Sequence, residues 1–190
     1  MLKFRAIALI VGVALVGGLL VDQFIVFPWG NETLPKMKQP HLVIKKSART
    51  LEVFDREKLV KTYKIALGFV PEGDKEIEGD GKTPEGEFYI FTKNGKSKFY
   101  LSIGISYPGI DDAMRGLEKG LISISEHDEI VKAIKKQGAP LQKTKLGGEI
   151  YIHGYGNLTD WTAGCIALPN SDMKELFDAI PIRTPVRIEP

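Results

Sequence analysis

Between His41 and Ile105 one strand-patterned segment follows another with no helical stretch between them. That order excludes an alternating βαβ architecture, because parallel strands need crossover helices and adjacent strands pair directly. Leu42–Ile44 and Leu51–Phe54 flank a polar turn, Lys45–Arg49, and read as a hairpin. Leu59–Ile65 alternates and is rich in β-branched and aromatic residues. Phe69–Thr83 is a charged Gly/Pro loop, and Phe88–Phe91 and Phe99–Ile105 are two further strands. Tyr107–Gly120 is expected to be irregular.

Helices enter late. Ser123 and Glu126 have capping-box spacing, as do Ser125 and Asp128 in a looser form. Ile130, Ala133, Ile134 and Gln137 then share one helical face, and Gly138-Ala-Pro140 stops it. Glu149–Ile152 is a short strand leading into His153. Asn170 or Ser171 is expected to cap a last helix to Ile180, with Met173, Leu176, Phe177 and Ile180 inward, before a closing strand at Thr184–Glu189. The tally is seven or eight strands and two or three helices. The chain has 190 residues, 43% of them hydrophobic, enough for one domain with a sizeable core.

The N-terminus is separate. A short basic stretch, Met1–Arg5, precedes Ala6–Val21, which has no polar side chain. This is the charged and apolar pattern of an export signal. Residues 1–29 read as a signal anchor or a cleaved signal peptide. The anchor is favoured because no small-x-small cleavage site follows the apolar run, and Phe24–Phe27 and Trp29 extend it toward an interface. Residues 6–27 would hold the protein at the cytoplasmic membrane, facing a periplasm or cell envelope. Residues 30–40 read as a linker and residues 41–190 as the folded domain. The net charge of +2, spread along the chain, gives no basic face and no nucleic-acid motif.

Export makes the cysteine count informative. Cys165 is the only cysteine, so it forms no intramolecular disulfide and is either buried and inert or chemically used. It lies in Ile152–Leu168 behind Ala163-Gly164, with His153 upstream. A thiol with a pKa near 8.5 is only a few per cent ionised at pH 7, so a nucleophile needs a neighbouring base, and an imidazole can take the proton and hold the pair charged. Consecutive N–H groups at a tight Ala-Gly-Cys turn can converge on one oxyanion. A zinc site from Cys165, His153 and Asp160 lacks paired ligands at the usual spacing, so no metal and no cofactor are expected.

Two motifs now agree. His153-Gly154 is followed by Thr162-Ala-Gly-Cys-Ile-Ala-Leu168, and upstream stands Gly79-Asp-Gly-Lys-Thr-Pro-Glu-Gly-Glu-Phe88. Together they resemble the L,D-transpeptidase catalytic-domain family of the YkuD type, over roughly His41 to Glu189. The resemblance implies a mainly β fold, a sandwich or barrel-like pair of mixed sheets with two or three short helices. It implies Cys165 as the acylated nucleophile, His153 as its base, the Gly154 carbonyl as the group orienting the imidazole, and the Ala163, Gly164 and Cys165 N–H groups as the oxyanion hole. The substrates it implies are peptidoglycan stem peptides, with an amine acceptor from a second stem or a wall-attached protein. The chain departs from the family pattern at Ala163, usually His, and at Ala167, usually Arg or Asn. Tyr155, Trp161, Thr162 and Lys82 are the remaining candidates for substrate contact. The alternatives are loop packing for Tyr155 and Trp161 and turn formation for Lys82-Thr83-Pro84. Asp160 is an alternative partner for His153. Tyr107–Gly148 is expected to act as a lid over the thioester.

Overall fold

The computed structural model describes residues 33–190; the proposed anchor at 6–27 lies outside the described residues. The strands are β1 (Pro40–Lys45), β2 (Thr50–Asp55), β3 (Lys58–Lys64), β4 (Gly86–Ser97), β5 (Tyr100–Ile105), β6 (Tyr151–His153), β7 (Ile166–Ala167) and β8 (Pro185–Glu189). The helices are α1 (Ile110–Glu118), α2 (Ile124–Lys135) and α3 (Asn170–Ala179). The strands run β3-β2-β1-β8-β4-β5-β6-β7 across one curled, mixed ladder.

The bend is made by β4. Its first residues, Gly86–Tyr89, pair antiparallel with β8, and its later ones pair with β5 after a register break between Ile90 and Thr92. One strand therefore belongs to two sheets, and each sheet contains one parallel pair, β1 with β8 and β6 with β7. A break of register with an extra residue bends a strand and raises its twist, which is what closing two sheets over one core requires. The core between them is aliphatic: Leu42, Ile44, Leu51, Val53, Ile90, Ile103, Ile105, Ile152, Ile166, Val186 and Ile188, with Met173 and Leu176 of α3 packed on it. The period-2 alternation of Leu42/Ile44 and Leu51/Val53 delivers those residues to one face. The mainly β, two-sheet expectation holds.

Three local expectations change. Tyr107–Gly120 is not irregular: Ile110–Glu118 is helical, with the N–H of Gly109 donating to Asp112 Oδ2 at 2.8 Å. Ile110, Ala113, Met114 and Leu117 recur at helical spacing, although the buried face is Asp112, Ala113 and Gly116 and Ile110 and Met114 are exposed. Gly116 is small because a side chain there would meet Leu146. Helix α2 keeps its predicted Ser123–Glu126 capping box, but Gln137 lies beyond it with φ +51°. Pro169, not Asn170 or Ser171, precedes α3, and Asn170 Oδ1 instead accepts from the N–H of Tyr155 at 2.9 Å. Helices α1 and α2 enclose a small second core of Ala113, Ile122, Ile130 and Leu146. The region expected to be a lid is thus a packed two-helix unit whose trailing segment, 142–149, forms one wall of the cleft described next.

Candidate active site

The two sequence motifs meet because strands β6 and β7 lie side by side. Ile152 pairs with Ile166 and His153 with Ala167 in parallel register. Extending that register by one residue sets Cys165 beside Tyr151, and the alternation of a strand then turns Cys165 and His153 to the same face. The N–H of Tyr151 lies 3.4 Å from Cys165 Sγ, and the thiol lies 3.5 Å from the Glu149 carbonyl.

His153 is 2% exposed, and its Nδ1 lies 2.8 Å from the Gly154 carbonyl. A carbonyl only accepts, so Nδ1 carries the proton and Nε2 is left as the acceptor. Burial lowers the imidazole pKa from its ordinary 6.5, opposed by that hydrogen bond. Phe99 stacks on the ring at a centroid distance of 4.7 Å, and Trp161 meets it edge-on at 5.5 Å. Gly154 has no room for a side chain: a Cβ would sit 2.5 Å from Asn170 Oδ1 and 3.0 Å from the Phe99 carbonyl. Asp160 does not touch the imidazole. It accepts from the N–H of Leu67 at 2.8 Å and from Arg49 Nε at 3.0 Å.

The thiol of Cys165 is half-buried, and burial pushes its pKa up to about 11, with the Tyr151 N–H and Lys75 acting against burial and Glu149 acting with it. The resting pair is therefore a neutral thiol beside a neutral imidazole, not the charged pair expected from sequence. Among the described residues, thiol and imidazole share no hydrogen bond; the sulfur rests on the Glu149 carbonyl.

The Thr-Ala-Gly-Cys turn is built by Thr162. Its hydroxyl donates to the Cys165 carbonyl at 2.7 Å and accepts from the N–H of Gly164 at 3.2 Å. Thr162 is buried and spends its hydroxyl proton and one lone pair within the turn, so the structure gives it a shaping role there. The Gly164 N–H is likewise occupied, whereas the N–H groups of Ala163 and Cys165 have no acceptor among the described residues. Of the three N–H groups expected to serve an oxyanion, that of Gly164 is therefore already donated to Thr162.

The upstream motif acts from behind. Gly164 has φ +131°, and a Cβ on it would lie 2.6 Å from the Lys82 carbonyl. A Cβ on Gly68 would lie 2.1 Å from the Gly81 carbonyl. Backbone therefore packs on backbone where Gly68, Gly81-Lys82 and Gly164 meet, and Thr83 Oγ1 accepts from the Gly68 N–H at 3.0 Å. The segment is anchored by Lys46, expected in a polar turn but buried, whose Nζ donates to the carbonyls of Gly73 (2.6 Å) and Thr83 (3.0 Å) and to Glu85 Oε1 (2.7 Å). The Lys82 side chain lies against Gly73 and does not line the cleft at Cys165, while its backbone packs on Gly164.

A cleft of about 780 Å³ opens at Cys165, walled by Lys75, Glu78, Gln142, Gly148, Glu149 and Ala163, among others. Ala163 is exposed along the cleft, while Ala167 is fully buried and bridges to Ala66. On the imidazole side stand Tyr155 and Trp161, both partly exposed, with Phe99 between them at 5.9 Å from each ring. Phe99 was not anticipated, since an aromatic at the start of a predicted strand carries no signal of a site. Trp161 Nε1 donates to the Gly156 carbonyl at 3.2 Å. No cluster of metal-ligating side chains occurs among the described residues.

The sequence pattern of the L,D-transpeptidase catalytic domain (YkuD) matches residues 39–188. Among solved structures, the helical cell shape determining protein Pgp2 from Campylobacter jejuni superposes with a TM-score of 0.55 at 22% identity, over 84% of this chain and 52% of that one. Bd1075 from Bdellovibrio bacteriovorus gives a TM-score of 0.53 at 21% identity, over 82% of this chain and 51% of that one. The chain thus spans about half the length of these relatives, whose likeness is one of fold. No curated protein sequence matches it. With the motif pair, the two-sheet fold and the match over residues 39–188 in agreement, the chain belongs to the L,D-transpeptidase catalytic-domain family.

Proposed function

We propose that the chain is an exported peptidoglycan L,D-transpeptidase, held at the membrane by residues 6–27, that acts through a Cys165 thioester. The observation that carries this reading is the imidazole of His153, its Nδ1 held by the Gly154 carbonyl and its Nε2 without a hydrogen bond among the described residues, in the strand register that leads to the cleft-lining Cys165. In the first half-reaction the thiol leaves the Glu149 carbonyl and gives its proton to His153 Nε2. The sulfur adds to the carbonyl carbon of the third stem residue, and the N–H groups of Ala163 and Cys165 meet the oxyanion. Collapse breaks the amide bond, the terminal D-Ala amine takes the proton from His153, and a thioester remains. In the second half-reaction an acceptor amine attacks the thioester, His153 takes its proton, and the thiol is restored. A resting thiol near pKa 11 supports proton transfer concerted with attack, because a preformed thiolate would be scarce at neutral pH. Wall modification of this kind would also accommodate a role in cell shape, the role named for the Campylobacter jejuni relative.

A second reading is hydrolysis of the same thioester, giving a carboxypeptidase or endopeptidase. It is favoured by Ala163 at the cleft mouth, where a small apolar side chain does not keep water from the acyl carbon. Incubating the full-length protein with purified disaccharide-tetrapeptide and analysing products by mass spectrometry decides between them. Cross-linked dimers identify transfer, and tripeptide without dimer identifies hydrolysis. Neither product, with retained binding, identifies a wall-binding module and refutes both enzymatic readings.

A further inference from the structure

We propose that Glu149 reads the donor substrate, receiving a side-chain ammonium on the residue whose carbonyl becomes the thioester. This rests on the acyl-transfer reading above and extends it to a specificity-determining residue. Glu149 lines the cleft together with Cys165. Its carboxylate has no hydrogen-bond or ion-pair partner among the described residues, whereas two other charged groups of the same cleft are committed. Lys75 Nζ is held by Asp80 Oδ1 and the Ile77 carbonyl, and Glu126 is held by Ser123.

The backbone of Glu149 is fixed with unusual care for an exposed residue. Its N–H donates to Gln142 Oε1 at 2.8 Å, and Gln142 Nε2 donates to the carbonyls of Tyr107 and Pro140 at 3.0 and 2.9 Å. Its φ of +54° is a left-handed conformation that a glycine or asparagine would adopt more readily. Its carbonyl touches the thiol. A carboxylate held beside a nucleophilic sulfur opposes ionisation of that sulfur, and its charge acts on both Cys165 and Tyr151. Such a placement favours catalysis only if a cation arrives with the substrate and neutralises it.

The direction of approach follows from the base. One imidazole must protonate the leaving amine and later deprotonate the incoming one, so both amines occupy the His153 side, flanked by Phe99, Tyr155 and Trp161. The opposite flank of the sulfur, where Glu149 and Gln142 stand, is then left for the side chain of the acyl residue itself. A side chain ending in an ammonium meets an unpaired carboxylate there.

The test uses the full-length protein and two disaccharide-tetrapeptide donors, identical except that the side-chain amine of the third residue is free in one and N-acetylated in the other. The rate of thioester formation on Cys165 is followed by intact-protein mass spectrometry at subsaturating donor. The wild type should acylate about tenfold faster with the free amine, the size expected of one partly screened charge pair beside the reacting centre. Glu149→Gln should reduce that preference below about twofold. Glu149→Asn, which tolerates the left-handed backbone, should do the same, and Glu78→Gln should leave the preference intact. Retention of the preference in both Glu149 variants overturns the assignment, as does its loss in Glu78→Gln alone. A thioester that forms in the wild type with no preference overturns the Glu149 assignment only. No thioester with either donor overturns the acyl-transfer reading and this inference together.

Discussion

Replacing Lys46 by Met tests whether a buried cation far from the chemistry holds the active-site turn. Lys46 is 2% exposed and satisfies three acceptors, the carbonyls of Gly73 and Thr83 and the carboxylate of Glu85. Methionine matches the length of the stem and fills the space, so packing is largely retained. What is lost is the charge and its three donors. Each acceptor left unsatisfied costs about 1–3 kcal/mol, so three would cost about 3–9 kcal/mol. Glu85 retains about a fifth of its side-chain exposure and recovers some hydration. The lower part of the range, about 3–5 kcal/mol, is therefore expected, as for one partner removed from a buried pair. Lys45→Met is the control: Lys45 is two-fifths exposed and pairs with Glu52 at 2.9 Å, so its loss should cost about 0–1 kcal/mol. Urea unfolding followed by tryptophan fluorescence gives both values from the shift in midpoint at unchanged slope. Activity of Lys46→Met should fall even where the protein remains folded, because Thr83 and Gly81-Lys82 back the turn at Gly164. A cost below about 1 kcal/mol, equal to that of the Lys45 variant, would refute the reasoning.

Other outcomes follow from the same geometry. Gly164→Ala places a Cβ 2.6 Å from the Lys82 carbonyl at φ +131°, and should cost about 3 kcal/mol in urea unfolding; a neutral result would mean the turn is free to relax. Thr162→Val removes one donor and one acceptor inside the Cys165 turn, and should cost about 1–3 kcal/mol together with most of the activity, which product analysis would register. Burial lowers the pKa of His153, so its base form persists below pH 6.5 and is lost only as pH falls further; an acid limb of kcat/KM centred above pH 7 would contradict this. Burial raises the pKa of Cys165 to about 11, so alkylation of the free protein by iodoacetamide should keep accelerating with pH beyond 9, and a plateau by pH 8 would oppose it. Asp160→Asn should weaken the Arg49 and Leu67 contacts but leave that acid limb in place, since Asp160 does not touch His153.

The chemistry of this site was legible in the sequence because it is local. His153 ends β6 and Cys165 immediately precedes the neighbouring strand β7, and the small residues around them mark the close approaches that the structure contains. The groups that condition the pair are not local. Phe99 reaches His153 through the β4–β5 hairpin, and Lys46 finds its acceptors 27, 37 and 39 residues away. Nothing in the residue types announced either contact. Helix α1 carries apolar residues at helical spacing, Ile110, Ala113, Met114 and Leu117, but Gly109 offers no capping side chain and Gly116 interrupts it; the second half of β4 is hidden because Thr92–Ser97 is polar. Asn170 looks like a helix cap in sequence, but tertiary structure turns its amide oxygen to the Tyr155 N–H instead, where it steadies the loop after His153. The neutral state of the pair depends on burial, which spacing does not encode.

The central claim is that Cys165 carries the acyl group. Full-length protein mixed with disaccharide-tetrapeptide, quenched in acid and measured by intact mass spectrometry, should gain the mass of the donor less D-Ala. Peptide mapping should place that adduct on Cys165, and Cys165→Ala should show none. An active Cys165→Ala protein, or turnover by the wild type with the adduct on another residue, would contradict the account.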